Sequence, residues 1–328
     1  MNANVAAPPA VFKDRSTGLM VFGILLIILG AYLALMTPFM FFGQFMAGRV
    51  SGVEPMSPRL MLPAAGMYLC MAALFITLGI GSLRCRRWSR ALVLIISWMW
   101  LIGGSAGLVG MCFMLPQMFS GAMPGVPPGT PPLPPVFRII MIVFALGVGL
   151  VAYVIIPGVL VFFYRQPDVK ATCALRDPQP RWTDACPLPV LAISLMLGCG
   201  ALMMPLMVLA YHSLVPCFGR YLTGAPALLL LLVTALAYAW GARACYKLNR
   251  AGWWIALVGF TLWLSSAVVT FARIGILPMY EAMEMPKQQL EMMRQMKFLD
   301  GPWLWIAMLL AWVPFIGYII YTKKYFKR

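Results

Sequence analysis

Residues 81–92 read GSLRCRRWSRAL and set Arg84, Arg86, Arg87 and Arg90 around Trp88, in a chain of which only 10% of residues are charged. Guanidinium groups crowded in this way bind phosphates and carboxylates through forked, charge-assisted hydrogen bonds. A tryptophan among them favours a membrane interface, where its ring meets apolar chains and its N–H meets water. The chemistry on offer is therefore anion binding. It is either a site for a specific anionic ligand or, more simply, a turn held beside lipid headgroup phosphates. The second reading makes Arg84, Arg86, Arg87, Trp88 and Arg90 lipid-headgroup and topology anchors. A related stretch, GARACYKLNRAG at 241–252, adds Lys247 and Arg250 to the same set.

Other reactive side chains are sparse. His212 is the only histidine, which rules out haem held by two histidines of one chain and ordinary multi-histidine metal sites. Methionine is abundant, with 26 residues, and Met279, Met283, Met285, Met292, Met293 and Met296 crowd one segment. Thioethers bind Cu(I), but methionine is equally frequent in the apolar runs, where it packs. No nucleophile elbow, phosphate-binding loop, paired carboxylates or metal-ligand spacing occurs. The expectation is a protein that is not an enzyme and uses no cofactor or metal.

The elements that position these residues follow from composition. With 62% apolar residues and a mean hydropathy of +0.87, the chain lacks the polar side chains a water-exposed surface needs. About 20 apolar residues cross a hydrocarbon core as a helix. The charge-free runs place eight spans at roughly 18–42, 60–83, 91–115, 139–164, 189–211, 222–242, 252–275 and 303–321. The expected fold is all-α, a polytopic membrane protein. With both termini cytoplasmic, 17 of the 25 lysines and arginines fall on the inner side. That is the positive-inside bias expected in a cell (inner) membrane. The net charge of +16 is then explained by topology and anionic lipids, and nucleic acid is not an expected partner. Cys85, Cys173, Cys186 and Cys245 fall on the inner side and Cys217 outside, so no disulfide framework is implied.

The chain also reads as written twice. Gly81, Cys85, Arg87, Arg90 and Ala91 match Gly241, Cys245, Lys247, Arg250 and Ala251 at a shift of 160, and ALMTPFM at 34–40 matches ALMMPLM at 201–207. The expected organisation is two parallel four-helix repeats, 1–164 and 189–328, joined by a cytoplasmic linker at 165–188. The linker, rich in Pro, Asp and Arg, reads as exposed coil. The loop at 116–137 reads as extended, with eight prolines, and 286–301 as a short interfacial helix. Gly103 and Gly107, four residues apart, permit close helix packing, either inside the chain or against a second copy. Pro38, Pro157, Pro205 and Pro314 should kink their helices. Spans without charges at their centres argue against ion-coupled transport. The functional expectation is a scaffold or accessory subunit of a membrane assembly. Its partners are the lipid bilayer and a membrane protein or a second copy. The alternative is a carrier or channel for an uncharged or lipid-like solute passing between the two repeats.

Overall fold

The computed structural model describes residues 12–50, 58–120, 134–211, 214–282, 290, 291, 293, 294 and 303–326. His212, Met283, Met285, Met292 and Met296 lie outside the described residues, as does most of the proline-rich loop. Of the expected interfacial helix, only 290, 291, 293 and 294 are described, all helical.

The protein is 87% helical and all-α in class. Among the described residues, seven helices are long and apolar enough to cross a membrane, which fits a multi-pass membrane protein. They are α1 (Ser16–Val50), α2 (Pro58–Leu83), α3 (Arg87–Ser120), α4 (Pro135–Tyr164), α6 (Leu188–Tyr211), α7 (Gly224–Tyr246) and α8 (Arg250–Ile274). Two short helices, α5 (Pro167–Arg176) and α9 (Leu277–Ala282), and a 20-residue helix α10 (Trp303–Thr322) complete the described set. The loop expected to begin at Pro116 starts later, because α3 continues through that proline to Ser120.

Close packing is made by glycines. On α1 and α2, a Cβ built at Gly23 would lie 2.9 Å from the Gly79 carbonyl, and one at Gly79 would lie 2.6 Å from the Gly23 carbonyl. Between α6 and α7 the approach is fixed by a hydroxyl, Ser194 Oγ donating to the Ala242 carbonyl at 2.7 Å. α4 carries a π-helical turn at Val151–Ile155, just before Pro157. The proline lacks the N–H that would close a regular turn there. The wide turn rests on Gly104 of α3, where a Cβ would meet Tyr153 at 2.8 Å.

Two apolar cores result. One surrounds Leu19, Leu26, Phe75, Leu78 and Tyr164; the other surrounds Val190, Leu197, Leu231, Trp253 and Ile319, and Ile95 of α3 reaches into it. Each contains a satisfied polar group. Ser82 Oγ donates to the Leu19 carbonyl at 3.0 Å, so the Tyr164 hydroxyl donates to Ser82 Oγ at 2.6 Å. Trp253 Nε1 donates to the Ile319 carbonyl at 2.8 Å and ties α8 to α10.

One element was not expected. β1 (Val215–Cys217) and β2 (Arg220–Leu222) form an antiparallel hairpin turned by Phe218 and Gly219, both at positive φ. It is pinned to α8. Ser266 Oγ accepts from Phe218 N at 3.1 Å and donates to the Pro216 carbonyl at 2.7 Å, while Thr270 Oγ1 accepts from Gly219 N at 3.0 Å.

Candidate functional site at the charged end of the bundle

The α2–α3 and α7–α8 connections are the same turn. In the first, Cys85 adopts φ 51°, its N–H donates to the Ser82 carbonyl and the Arg86 N–H donates to the Gly81 carbonyl. In the second, Leu248 adopts φ 58°, with Leu248 N to Cys245 O and Asn249 N to Ala244 O. This paired 5→2 and 6→1 bonding is the Schellman helix ending. It aligns Arg84 with Lys247 and Arg87 with Arg250, three residues away from the register that the matching letters indicated. Identical small residues were a poorer guide than the backbone hydrogen bonds.

The linker is not an exposed coil. α5 buries Val169, Thr172 and Cys173, and the turn Trp182–Asp184 buries Thr183. Its start obeys helix rules: Pro167 in the first turn needs no N–H partner, Asp168 faces the positive helix end and Arg176 the negative end. The four-residue spacing of Val169 and Cys173 gives it an apolar face. The proline and charges that suggested coil are therefore the punctuation of a short docked helix.

Four aspartates hold this layer together. Asp177, only 2% exposed, accepts from Arg181 Nη2 at 2.8 Å and Nε at 3.0 Å, from Arg86 Nη1 at 3.3 Å and from the Arg87 backbone N–H at 3.3 Å. Hydrogen bonding from Arg181, then from the Arg87 N–H, with the Arg86 charge adding to both, holds its carboxyl below the ordinary 3.8 despite burial. Asp184 pairs with Arg87 at 3.3 Å, Asp168 with Arg15 at 3.8 Å and Asp14 with Arg176 at 3.7 Å. Tyr246, at the end of α7, donates to the Trp182 carbonyl at 2.9 Å. The start of α1, both hairpin turns and the linker thus meet at one end of the bundle. Burial pushes the Cys173 thiol up to about 12 and Cys186 up to about 11, so both stay protonated at neutral pH.

The expected basic anchors divide into three groups. Arg86 and Arg87 are internal staples, bound to linker carboxylates. Arg90 is half-buried, and its Nε has no hydrogen-bond partner among the described residues. Arg84, Lys247 and Arg250 are exposed and make no ion pair among the described residues. Trp88 packs against the first core and lies beside Gly81, where a Cβ would be 2.9 Å from its ring. Arg84, Arg86, Trp88 and Arg181 line a cavity of about 390 Å³ that continues along α2 past Gly81 and Ile80 to Thr77. Sequence reasoning missed Arg181 and Asp177, because only the docked linker brings them to the hairpin.

Among the described residues no atom lies within 4 Å of a Cβ built at Gly103 or Gly107; Gly104 makes a close contact inside the chain. At the offset of 163 set by the two turns, Gly103 corresponds to Ser266 and Gly107 to Thr270. Those are the two hydroxyl residues that hold the β-hairpin on α8. Among the described residues no three His, Cys, Asp or Glu side chains come together in a metal-binding group. No protein-family model, no curated protein and no solved structure matches this chain.

Proposed function

We propose that the protein is a non-catalytic integral membrane subunit, a scaffold or accessory component. Its two parallel four-helix repeats present an open face of α3 to a partner helix. α10 is the eighth span, both termini lie in the cytoplasm of a cell (inner) membrane, and the charged layer is the cytoplasmic face. Seventeen inner basic residues against eight outer ones support that orientation. The matched Schellman turns and the similar pairing of α3 with α4 and α8 with α10 support the duplication.

The observation that carries the functional reading is the contrast at equivalent helix positions. On α8, Ser266 and Thr270 are covered by the chain's own hairpin. On α3, Gly103 and Gly107 are bare. Nearby, no residue of α4 between 135 and 148 is buried. Small residues spaced by four let a second helix backbone approach closely, the contact on which association within lipid depends.

Membranes solubilised in mild detergent are expected to yield the protein in a larger assembly or as a homo-oligomer. Gly107→Leu is expected to weaken that association at least about tenfold, since it blocks the close approach. A protein that stays strictly monomeric in mild detergent, and that cross-links from position 107 only to lipid, would overturn the reading.

A carrier for a lipid-like solute is the second reading. An apolar groove of about 500 Å³ on α7 and α8 favours it, lined by Trp254, Trp263 and the buried Tyr238. The Tyr238 hydroxyl has no hydrogen-bond partner among the described residues. The groove lies within the second half, however, and not on the seam between halves.

A further inference from the structure

We infer that the cavity bounded by Arg84, Arg86, Arg181 and Trp88 is a binding site for one anionic glycerophospholipid, its phosphate held by the arginines and an acyl chain laid along α2. The inference rests on the bundle lying in a bilayer and not on the subunit role, so the two fail separately.

The arginines do not contribute alike. Arg86 and Arg181 are anchored by Asp177, at 3.3 and 2.8 Å, which fixes their guanidinium planes while leaving donors on each unused. Arg84 has no acidic partner among the described residues and is exposed. One aspartate therefore pairs with two of the three arginines that line the cavity, leaving an excess of positive charge that a single phosphodiester would neutralise. An aspartate that orders two arginines without cancelling all three is the arrangement expected of a preorganised anion site.

The shape is also that of a lipid. Thr77 and Ile80 lie on one face of α2, and Arg84, the residue after its last and bonded through its N–H to the Ile80 carbonyl, continues that face. Seven residues at a rise of about 1.5 Å put Thr77 roughly 10 Å deeper than Arg84. The upper wall of the cavity is thus cationic and the lower wall apolar, matching a headgroup above the start of an acyl chain. Gly81 makes room for this wall: a Cβ there would lie 2.6 Å from Ser89 Cβ and 2.9 Å from the Trp88 ring. Arg181 enters from the linker, so the site is complete only when the linker is docked. Lys247 and Arg250, on the matching turn, receive no such arginine, and that turn serves as an internal control.

The test is native mass spectrometry of the detergent-solubilised full chain, titrated with phosphatidylglycerol or phosphatidylcholine. Wild-type protein is expected to bind one phosphatidylglycerol at least about tenfold more tightly than phosphatidylcholine. Arg84→Gln is expected to remove most of that preference and Arg84→Lys to restore part of it, because a lysine keeps the charge without the fork. The pair Lys247→Gln and Arg250→Gln should leave it within about twofold of wild type. Arg84 makes no hydrogen bond or ion pair from its side chain among the described residues, so its variants are expected to keep the linker docked, which an unchanged thermal transition verifies. Equal binding of the two lipids, or equal losses in the Arg84 and Lys247/Arg250 variants, would overturn the site. Displacement of the lipid by millimolar inorganic phosphate would also overturn it, reassigning the arginines to a soluble anion.

Discussion

Asp177→Asn is expected to release the linker from the bundle. The substitution removes the charge that faces Arg86 and Arg181 at 3.3 and 2.8 Å and leaves both guanidinium groups against a neutral amide. Breaking a buried ion pair from one side costs about 3 to 5 kcal/mol when the charge left behind is buried; the arginines left here are 39% and 31% exposed, so the cost falls below that range but above that of a surface pair. Limited proteolysis by trypsin reports the result directly. Arg176 and Arg181 are expected to be cut much faster in the variant than in wild type. The more exposed Asp184, replaced in the same way, should change little, since its pair with Arg87 is of the surface type, worth at most about 1 kcal/mol.

The pH dependence follows with a definite sign. Arg181 and Arg86 hold the Asp177 carboxyl below its ordinary value. Its stabilisation is therefore fully present above the usual carboxylate range and is lost only as pH falls through the depressed value. Wild-type linker protection should stay flat from neutral pH down to that range and fall below it. In Asp177→Asn, protection should be low throughout. Loss of wild-type protection between pH 6 and 7 would point to a group other than this aspartate.

Gly79→Leu is expected to be the most damaging single change in the first half of the bundle. Even a bare Cβ at this position would lie 2.6 Å from both the Gly23 carbonyl and Ile27 Cγ1, and two of the obstructing atoms belong to backbone. Overpacking a close interface costs about 1 to 3 kcal/mol when side chains can yield. Here α1 and α2 must separate, so the upper figure or more is expected. Gly66→Leu, on the same helix but with nothing within 4 Å of its Cβ, should stay within about 0.5 kcal/mol of wild type. Unfolding in a titration with denaturing detergent compares the two.

The helices were legible because a bilayer imposes a length: charge-free runs of about 20 residues are conspicuous, and all seven long helices coincide with them. The charged layer was half legible. Arginines at 84–90 mark a charged turn between two apolar helices, but their partners Asp177 and Asp184 lie more than ninety residues away, and no local pattern pairs them. The linker's helix is masked by proline and aspartate, residues that also favour coil, although Pro167 and Asp168 occupy the positions where a helix tolerates both. The hairpin at 215–222 was invisible to periodicity, since strands of three residues are too short to show an alternation. The glycine crossings inside the chain were equally illegible. Gly103 and Gly107 form the familiar pair, yet the close crossings use Gly23, Gly79 and Gly104, which no spacing rule singled out.

The proposed orientation puts the layer of arginines and aspartates on the cytoplasmic side. The native thiols Cys85 and Cys245 are poor reporters of this because both are buried. Single cysteines at Leu175, Asn249 and Arg220, all exposed, place one probe on the linker, one on the second turn and one on the β-hairpin at the opposite end. Labelled on intact cells with a membrane-impermeant maleimide in a background otherwise free of cysteine, Arg220→Cys is expected to react, while Leu175→Cys and Asn249→Cys react only after permeabilisation. Labelling of Leu175→Cys from outside with Arg220→Cys protected would invert the molecule in its membrane. Labelling of only one of Leu175→Cys and Asn249→Cys would contradict the single charged face itself.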